Sequence, residues 1–99
     1  YGNGGSGRSG DYQLGSRKPL NKPKPTYDCE EEGLVIVAIQ VNRAGKVIRA
    51  NPGIKGSTNT ATCLVSRAKE AALKTTWQPD SNAGSTQTGI IKYRFSLSN

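Results

Sequence analysis

The chain has 99 residues, with 14 Lys or Arg against 7 Asp or Glu, a net charge of +7, and no histidine. Its length fits one small domain. The missing histidine excludes histidine general bases, Ser-His-Asp triads and histidine metal sites, and no run approaches the ~18–20 apolar residues that span a bilayer.

Residues 1–10, YGNGGSGRSG, hold five glycines and no aliphatic side chain. Ordering such a stretch loses much entropy and buries little, so it reads as a flexible linker. The start lacks methionine and a signal peptide, which suggests a piece of a longer chain with any leader or anchor upstream. Residues 11–26, DYQLGSRKPLNKPKPT, turn Lys/Pro-rich, and Pro19, Pro23 and Pro25 favour an extended path. The whole of 1–26 thus reads as linker and 27–99 as the domain. Residues 11–20 are nevertheless expected to pack back, with Tyr12, Leu14 and Leu20 over an outer apolar face made by Leu34, Ile36, Ile48 and Ile90.

Residues 34–42, LVIVAIQVN, give the strongest strand signal. Val35, Val37, Ile39 and Val41 share one face. Leu34, Ile36 and Ala38 share the other, which turns polar at Gln40. A strand apolar on both faces belongs in the middle of a sheet. Residues 43–46, RAGK, offer a hairpin glycine, residues 46–51 return as a second strand, and Pro52 and Gly53 end it. Residues 55–60 read as loop.

A helix is expected over 61–76. Leu64, Ala68, Ala71, Ala72 and Thr75 form a narrow stripe beside Val65, with Arg67, Lys69, Glu70 and Lys74 toward water. Thr60 or Thr62 would cap its start, and Pro79 prevents it from continuing past Trp77. Residues 80–86 are turn-formers. Residues 87–97 alternate strictly: Ile91, Tyr93, Phe95 and Leu97 on one face, Lys92, Arg94 and Ser96 on the other. Lys and Arg there suit an edge strand. The expected fold is α+β, β-β-α-β, a three-stranded antiparallel sheet of order 2-1-3 packed on one helix, with the third strand keeping one free edge.

Little of the sequence resembles an active site. Glu30, Glu31 and Glu32 are consecutive and point in different directions, so they read as a solvated charge run. Cys29 and Cys63 lack a base partner and a histidine to complete a metal set. They are either two buried thiols or one disulfide, which would contribute about 4 kcal/mol by closing about 35 residues. GNGGSG has no flanking strand and helix to make a phosphate loop. The expectation is therefore a binding module, not an enzyme, with no cofactor and no metal. The positive charge permits nucleic acid as a partner. The aromatics are not arranged as a base-stacking pair, however, and no nucleic acid is expected. An exposed edge can instead recruit an extended peptide through its backbone.

The pieces taken in order resemble a known family. EEGLVIVAIQVNRAGKVIRANPGIKG is similar to the first hairpin of the C-terminal domain of the energy transducer TonB, with Glu32-Gly33, Asn42 to Gly45 and Val47 at the motif positions. AKEAALKTTWQP resembles the family's helix ending in aromatic-x-Pro, here Trp77 and Pro79, and GIIKYRFSL resembles its closing strand. The likeness covers about residues 27–97. YDCEEEG, KGSTNTATC and YQLGSRKP resemble the Bacteroidetes-type variant, which Cys29 and Cys63 also fit. The chain departs at Asp28, which follows Tyr27 where many members have proline.

The resemblance implies a periplasmic domain of an inner-membrane-anchored protein in a Gram-negative bacterium, where a Cys29–Cys63 disulfide is plausible. Its partners would be the TonB box of outer-membrane TonB-dependent transporters and, through a missing N-terminal part, the inner-membrane proton-channel complex. Peptidoglycan would be a further partner. The box would add as a strand along Thr88, Gly89, Ile90, Ile91, Lys92, Tyr93, Arg94, Phe95 and Ser96. Gly33, Gly45, Trp77 and Pro79 would be structural signatures. A TolA-like periplasmic adaptor is the alternative with the same architecture.

Overall fold

Seven elements follow one another in the computed structural model, which describes residues 11–97. They are β1 (Tyr12–Gln13), β2 (Pro19–Asn21), β3 (Gly33–Val41), β4 (Val47–Pro52), α1 (Thr62–Lys74), β5 (Thr76–Trp77) and β6 (Gln87–Phe95). The linker reading of residues 1–10 lies outside the described residues. The domain is α+β, with one helix and antiparallel strand pairs.

The main sheet has the order β1-β6-β3-β4, and β2 and β5 form a separate pair. The expected 2-1-3 arrangement survives as β4-β3-β6 at its centre. The three-stranded count does not, because β1 joins the outer side of β6. β3 pairs with β6 along its whole length, from Gly33 opposite Phe95 to Val41 opposite Gln87. Its two apolar faces explain this central place. Val35, Val37, Ile39 and Val41 are buried toward α1 with Leu64, Ala68, Ala71 and Ala72.

Beyond the end of β4, the chain that follows it continues the pairing along the same edge of β3. Gly53 and Ile54 N–H groups donate to the Ile36 carbonyl, the Ile36 N–H donates to Ser57 Oγ at 2.9 Å, and the Thr58 N–H donates to the Leu34 carbonyl at 2.8 Å. The loop after the hairpin thus replaces a strand where Pro52 ends β4, and Ile36 is buried beside it.

The hairpin turns at Asn42–Lys46. Gly45 has φ +93°, and a Cβ there would run into the Trp77 carbonyl oxygen. Glycine is required on both counts. The Trp77 N–H donates back to the Gly45 carbonyl at 2.8 Å. That bond draws the chain after α1 into β5, so the helix stops at Lys74, short of the expected Thr76. At the other end no side chain caps α1 at Ala61, contrary to the expectation for Thr60 or Thr62. Asn59 Oδ1 instead accepts from the Ala61 N–H at 2.9 Å, outside the helix.

Cys29 and Cys63 form a disulfide with Cα atoms 5.8 Å apart. It ties the chain entering β3 to the first turn of α1. Cross-linking 34 residues apart in sequence removes much freedom from the unfolded chain.

Residues 11–29 form a strap that rises along β6, turns over the end of the sheet and descends past β5 to Cys29. This corrects the expected covering of the outer face. Leu14 joins the core on the helix side of the sheet, and Tyr12 packs against it. The physical reason is the narrow small-residue stripe of α1. It approaches β3 and β4 closely but leaves the rings on β6 uncovered, and the strap fills that space.

Candidate functional site

β6 is the strand on which the expected partner-binding residues fall. Ile91, Tyr93 and Phe95 are buried, whereas Thr88 and Arg94 are exposed and Lys92 is half-buried. This is the alternation read from the sequence, and it puts the basic side chains on the face away from α1. The strand ends at Phe95, so Ser96 lies beyond it, and Leu97 is 52% exposed where burial was expected. The Leu97 N–H donates to Glu32 Oε1 at 2.8 Å, which turns the chain out of the sheet.

The outer side of β6 is not left open as the sequence suggested. Tyr12 stands opposite Ile91 and Gln13 opposite Ile90 in antiparallel register. Gly89 admits this approach. A Cβ there would run into the Gln13 carbonyl oxygen and lie 2.8 Å from Leu14 Cδ1. Asp11 is buried, and its Oδ1 accepts from Arg94 Nη2 at 3.0 Å. Asp11, Tyr12 and Gln13 thus lie against the proposed contact positions Gly89, Ile90, Ile91 and Arg94.

Two further anchors follow along the strap. Leu14 is fully buried. Arg17 is 6% exposed and spreads its guanidinium over three acceptors. Nε donates to the Gln78 carbonyl at 2.8 Å, Nη2 to the Asn42 carbonyl at 3.0 Å and Nη1 to Gln87 Oε1 at 3.1 Å. One side chain thereby joins the hairpin turn, the chain after β5 and the start of β6. In the sequence Arg17 is one of several cations in a Lys/Pro-rich stretch. Nothing in its neighbourhood distinguishes it from Lys18.

The aromatics that looked scattered converge around the strap. Tyr12 lies 6.2 Å from Trp77 and 6.4 Å from Tyr93 between ring centroids, and Tyr27 lies 5.2 Å from Phe95. Lys22 Nζ sits 5.4 Å from the Tyr12 centroid, a favourable cation–π arrangement. Trp77 Nε1 and the Tyr93 hydroxyl are buried without a hydrogen-bond partner among the described residues. The Tyr93 hydroxyl has Thr75 and Tyr12 as polar neighbours, and burial raises its pKa well above that of a free tyrosine.

The opposite end of the sheet is acidic. Glu30, Glu31 and Glu32 are exposed, as expected of a solvated run. Arg67 Nε donates to Asp28 Oδ1 at 2.9 Å and its Nη1 also meets Glu70. The hydrogen bond from Arg67 lowers the Asp28 pKa. Tyr27 is shifted upward by desolvation and then by the charge of Glu32. Asp28, Cys29 and Cys63 bring potential ligand atoms within 4.8 Å of one another. Both sulfurs are consumed by the disulfide, so this group has no thiolate to offer a metal.

Among the described residues no helix is long and apolar enough to cross a membrane. Comparison with protein-family models, curated proteins and solved structures gives no match.

Proposed function

We propose that this chain is the periplasmic C-terminal domain of an energy transducer similar to TonB. In this reading it binds the TonB box of outer-membrane transporters by strand addition along Thr88–Ser96. It then passes on mechanical energy derived from the proton-motive force. The observation that carries the reading is the asymmetry of β6. Its inner side pairs with β3 over nine residues, from Gln87 to Phe95, while β1 is only two residues long. A long strand held firmly on one side can accept an extended peptide on the other through its backbone. Pulling along such a pairing loads several hydrogen bonds together, which suits a transmitter of force.

Three features support the reading without depending on it. The β4-β3-β6 core and single helix agree with what the resemblance implies. The Cys29–Cys63 disulfide suits an oxidising compartment. Trp77, buried where the chain leaves α1, and Gly45, packed against it, give the signature positions a structural purpose.

The test is a ¹⁵N amide titration of the full chain with synthetic TonB-box peptides from transporters of the same organism, with an oligonucleotide of matched charge as control. Shifts concentrated on Thr88–Ser96 with the peptides alone support energy transduction. No response to several box peptides refutes it and favours an adaptor for another protein. A response to the oligonucleotide that weakens steeply with salt refutes it in favour of nucleic-acid binding.

A further inference from the structure

The strap is buried unevenly along its length. Leu14 is fully buried and Arg17 makes three hydrogen bonds. These two residues fix the strap where it turns over the sheet. The residues before them are held at the surface of β6. Gln13 is exposed and Tyr12 half-buried, and both pair with the outer side of the strand. Asp11 contributes a buried carboxylate to Arg94, whose own side chain is 42% exposed. A short segment that lies partly exposed beside a buried anchor can leave without unfolding the rest.

The same three residues display what this edge recognises. They form an extended segment running antiparallel to β6. It presents a carboxylate to Arg94, a ring to Trp77 and Tyr93, and a backbone carbonyl to the space above Gly89. Main-chain pairing supplies affinity in this mode and the side chains supply selectivity. A carboxylate meeting a guanidinium is among the stronger polar contacts available.

From this geometry we infer that Asp11–Gln13 is a built-in occupant of the β6 edge, and that a partner peptide replaces it. The replacing peptide carries an acidic side chain for Arg94 and an aromatic or large apolar side chain for the Trp77–Tyr93 surface. Leu14 and Arg17 stay docked throughout. The inference rests on the reading of β6 as a strand-addition site and goes beyond it by naming the competitor and the chemistry of the partner. Because the occupant is tethered, its effective concentration is high, on the order of millimolar for a short flexible link. Apparent affinity for a free peptide is then reduced by the fraction of molecules whose edge is occupied.

The experiment uses the full chain and two probes. One is a synthetic peptide copying residues 10–15, GDYQLG, and the other is the same peptide with asparagine for the aspartate. Binding is followed by amide shifts on Lys92–Phe95 and by the loss of protection at Gln13. Three proteins are compared: the unaltered chain, Asp11→Asn, and Gln13→Cys with Ile90→Cys. The last residues are directly opposed, and oxidation would lock the strap in place. Peptide mapping confirms that Cys29–Cys63 is retained.

Asp11→Asn is expected to bind the acidic probe about threefold to tenfold more tightly, because the competent fraction rises. The asparagine probe should bind more weakly to every protein, and the locked protein should bind neither. Equal binding to Asp11→Asn and the unaltered chain overturns the exchange, as does undiminished binding to the locked protein. Should the double cysteine variant fail to fold, the Asp11→Asn comparison decides alone. Box peptides that shift β6 equally in the locked and unaltered proteins refute the exchange while upholding strand addition. A GDYQLG probe that exchanges as expected, with no box peptide binding, upholds the exchange and refutes the transducer reading.

Discussion

Gly89→Ala is the most discriminating perturbation of this fold. Gly89 lies opposite Ile39 inside β6, where alanine suits the backbone. The obstacle is the strap alone. The added Cβ would run into the Gln13 carbonyl oxygen and lie 2.8 Å from Leu14 Cδ1. The carbonyl belongs to the backbone and cannot swing away as a side chain can. The strap must therefore lift from β6 at Gln13, and the pairing of Tyr12 and Gln13 goes with it. Two lost backbone hydrogen bonds cost about 1 kcal/mol each. Partial exposure of Leu14 and Tyr12 adds about 1–2 kcal/mol. The expected loss of about 3–4 kcal/mol lowers Tm by roughly 12–30 °C for a domain of this size. Thermal unfolding by circular dichroism measures the loss, and amide exchange locates it at Gln13 and Ile90, the directly opposed pair on the outer edge. Gly84→Ala is the control, since its nearest neighbour would be Thr86 oxygen at an ordinary 3.5 Å. An unchanged Tm for Gly89→Ala, with Gln13 still protected, would refute the docking of the strap.

Three further changes probe separate parts of the molecule. Arg17→Lys retains the charge but replaces a fork that reaches three acceptors with one ammonium group. The expected loss is about 2–3 kcal/mol in urea unfolding, because buried acceptors of a charged donor are left unmet. Cys29→Ser with Cys63→Ser removes the one disulfide and should cost about 2–4 kcal/mol by the same measurement, with the unaltered protein matching it once reduced. Burial raises the Tyr93 pKa from 10.0, so its contribution is fully present below pH 10 and declines as pH rises through the folded value. Tyr93→Phe should remove that decline. The stability difference between the two proteins should change by up to about 1.4 kcal/mol per pH unit above pH 10, and parallel curves would contradict a buried, neutral Tyr93.

The central strands were legible because each carries its own pattern. β3 reads as central from two apolar faces, and β6 reads as half-buried from strict alternation, without reference to anything else in the chain. Element ends were less legible because tertiary bonds set them. The bond from the Trp77 N–H to Gly45 stops α1, and the bond from the Leu97 N–H to Glu32 ends the influence of β6. Neither is visible in local spacing. The disulfide lay between, since two cysteines on either side of a hairpin permit a bridge without requiring one.

The strap was the hardest element to read, for a related reason. A two-residue strand has no periodicity, and the residues after it are rich in proline and lysine, as linkers are. Its ordering comes from what the rest of the fold lacks. The alanine stripe of α1 leaves the rings of Tyr93 and Trp77 needing cover, and Tyr12 and Leu14 supply it. This bears directly on the candidate site. The alternation of Ile91, Lys92, Tyr93 and Arg94 says that β6 has an edge, but an edge is a property of one strand. Whether that edge is occupied depends on a distant segment able to reach it. Asp11 meets Arg94 across 83 positions of sequence, a separation over which no pattern of residues carries information. In the proposed exchange the same contact also makes the edge selective. Backbone pairing alone would accept almost any extended peptide, whereas a strand that must first replace a carboxylate and a ring has to bring comparable groups of its own.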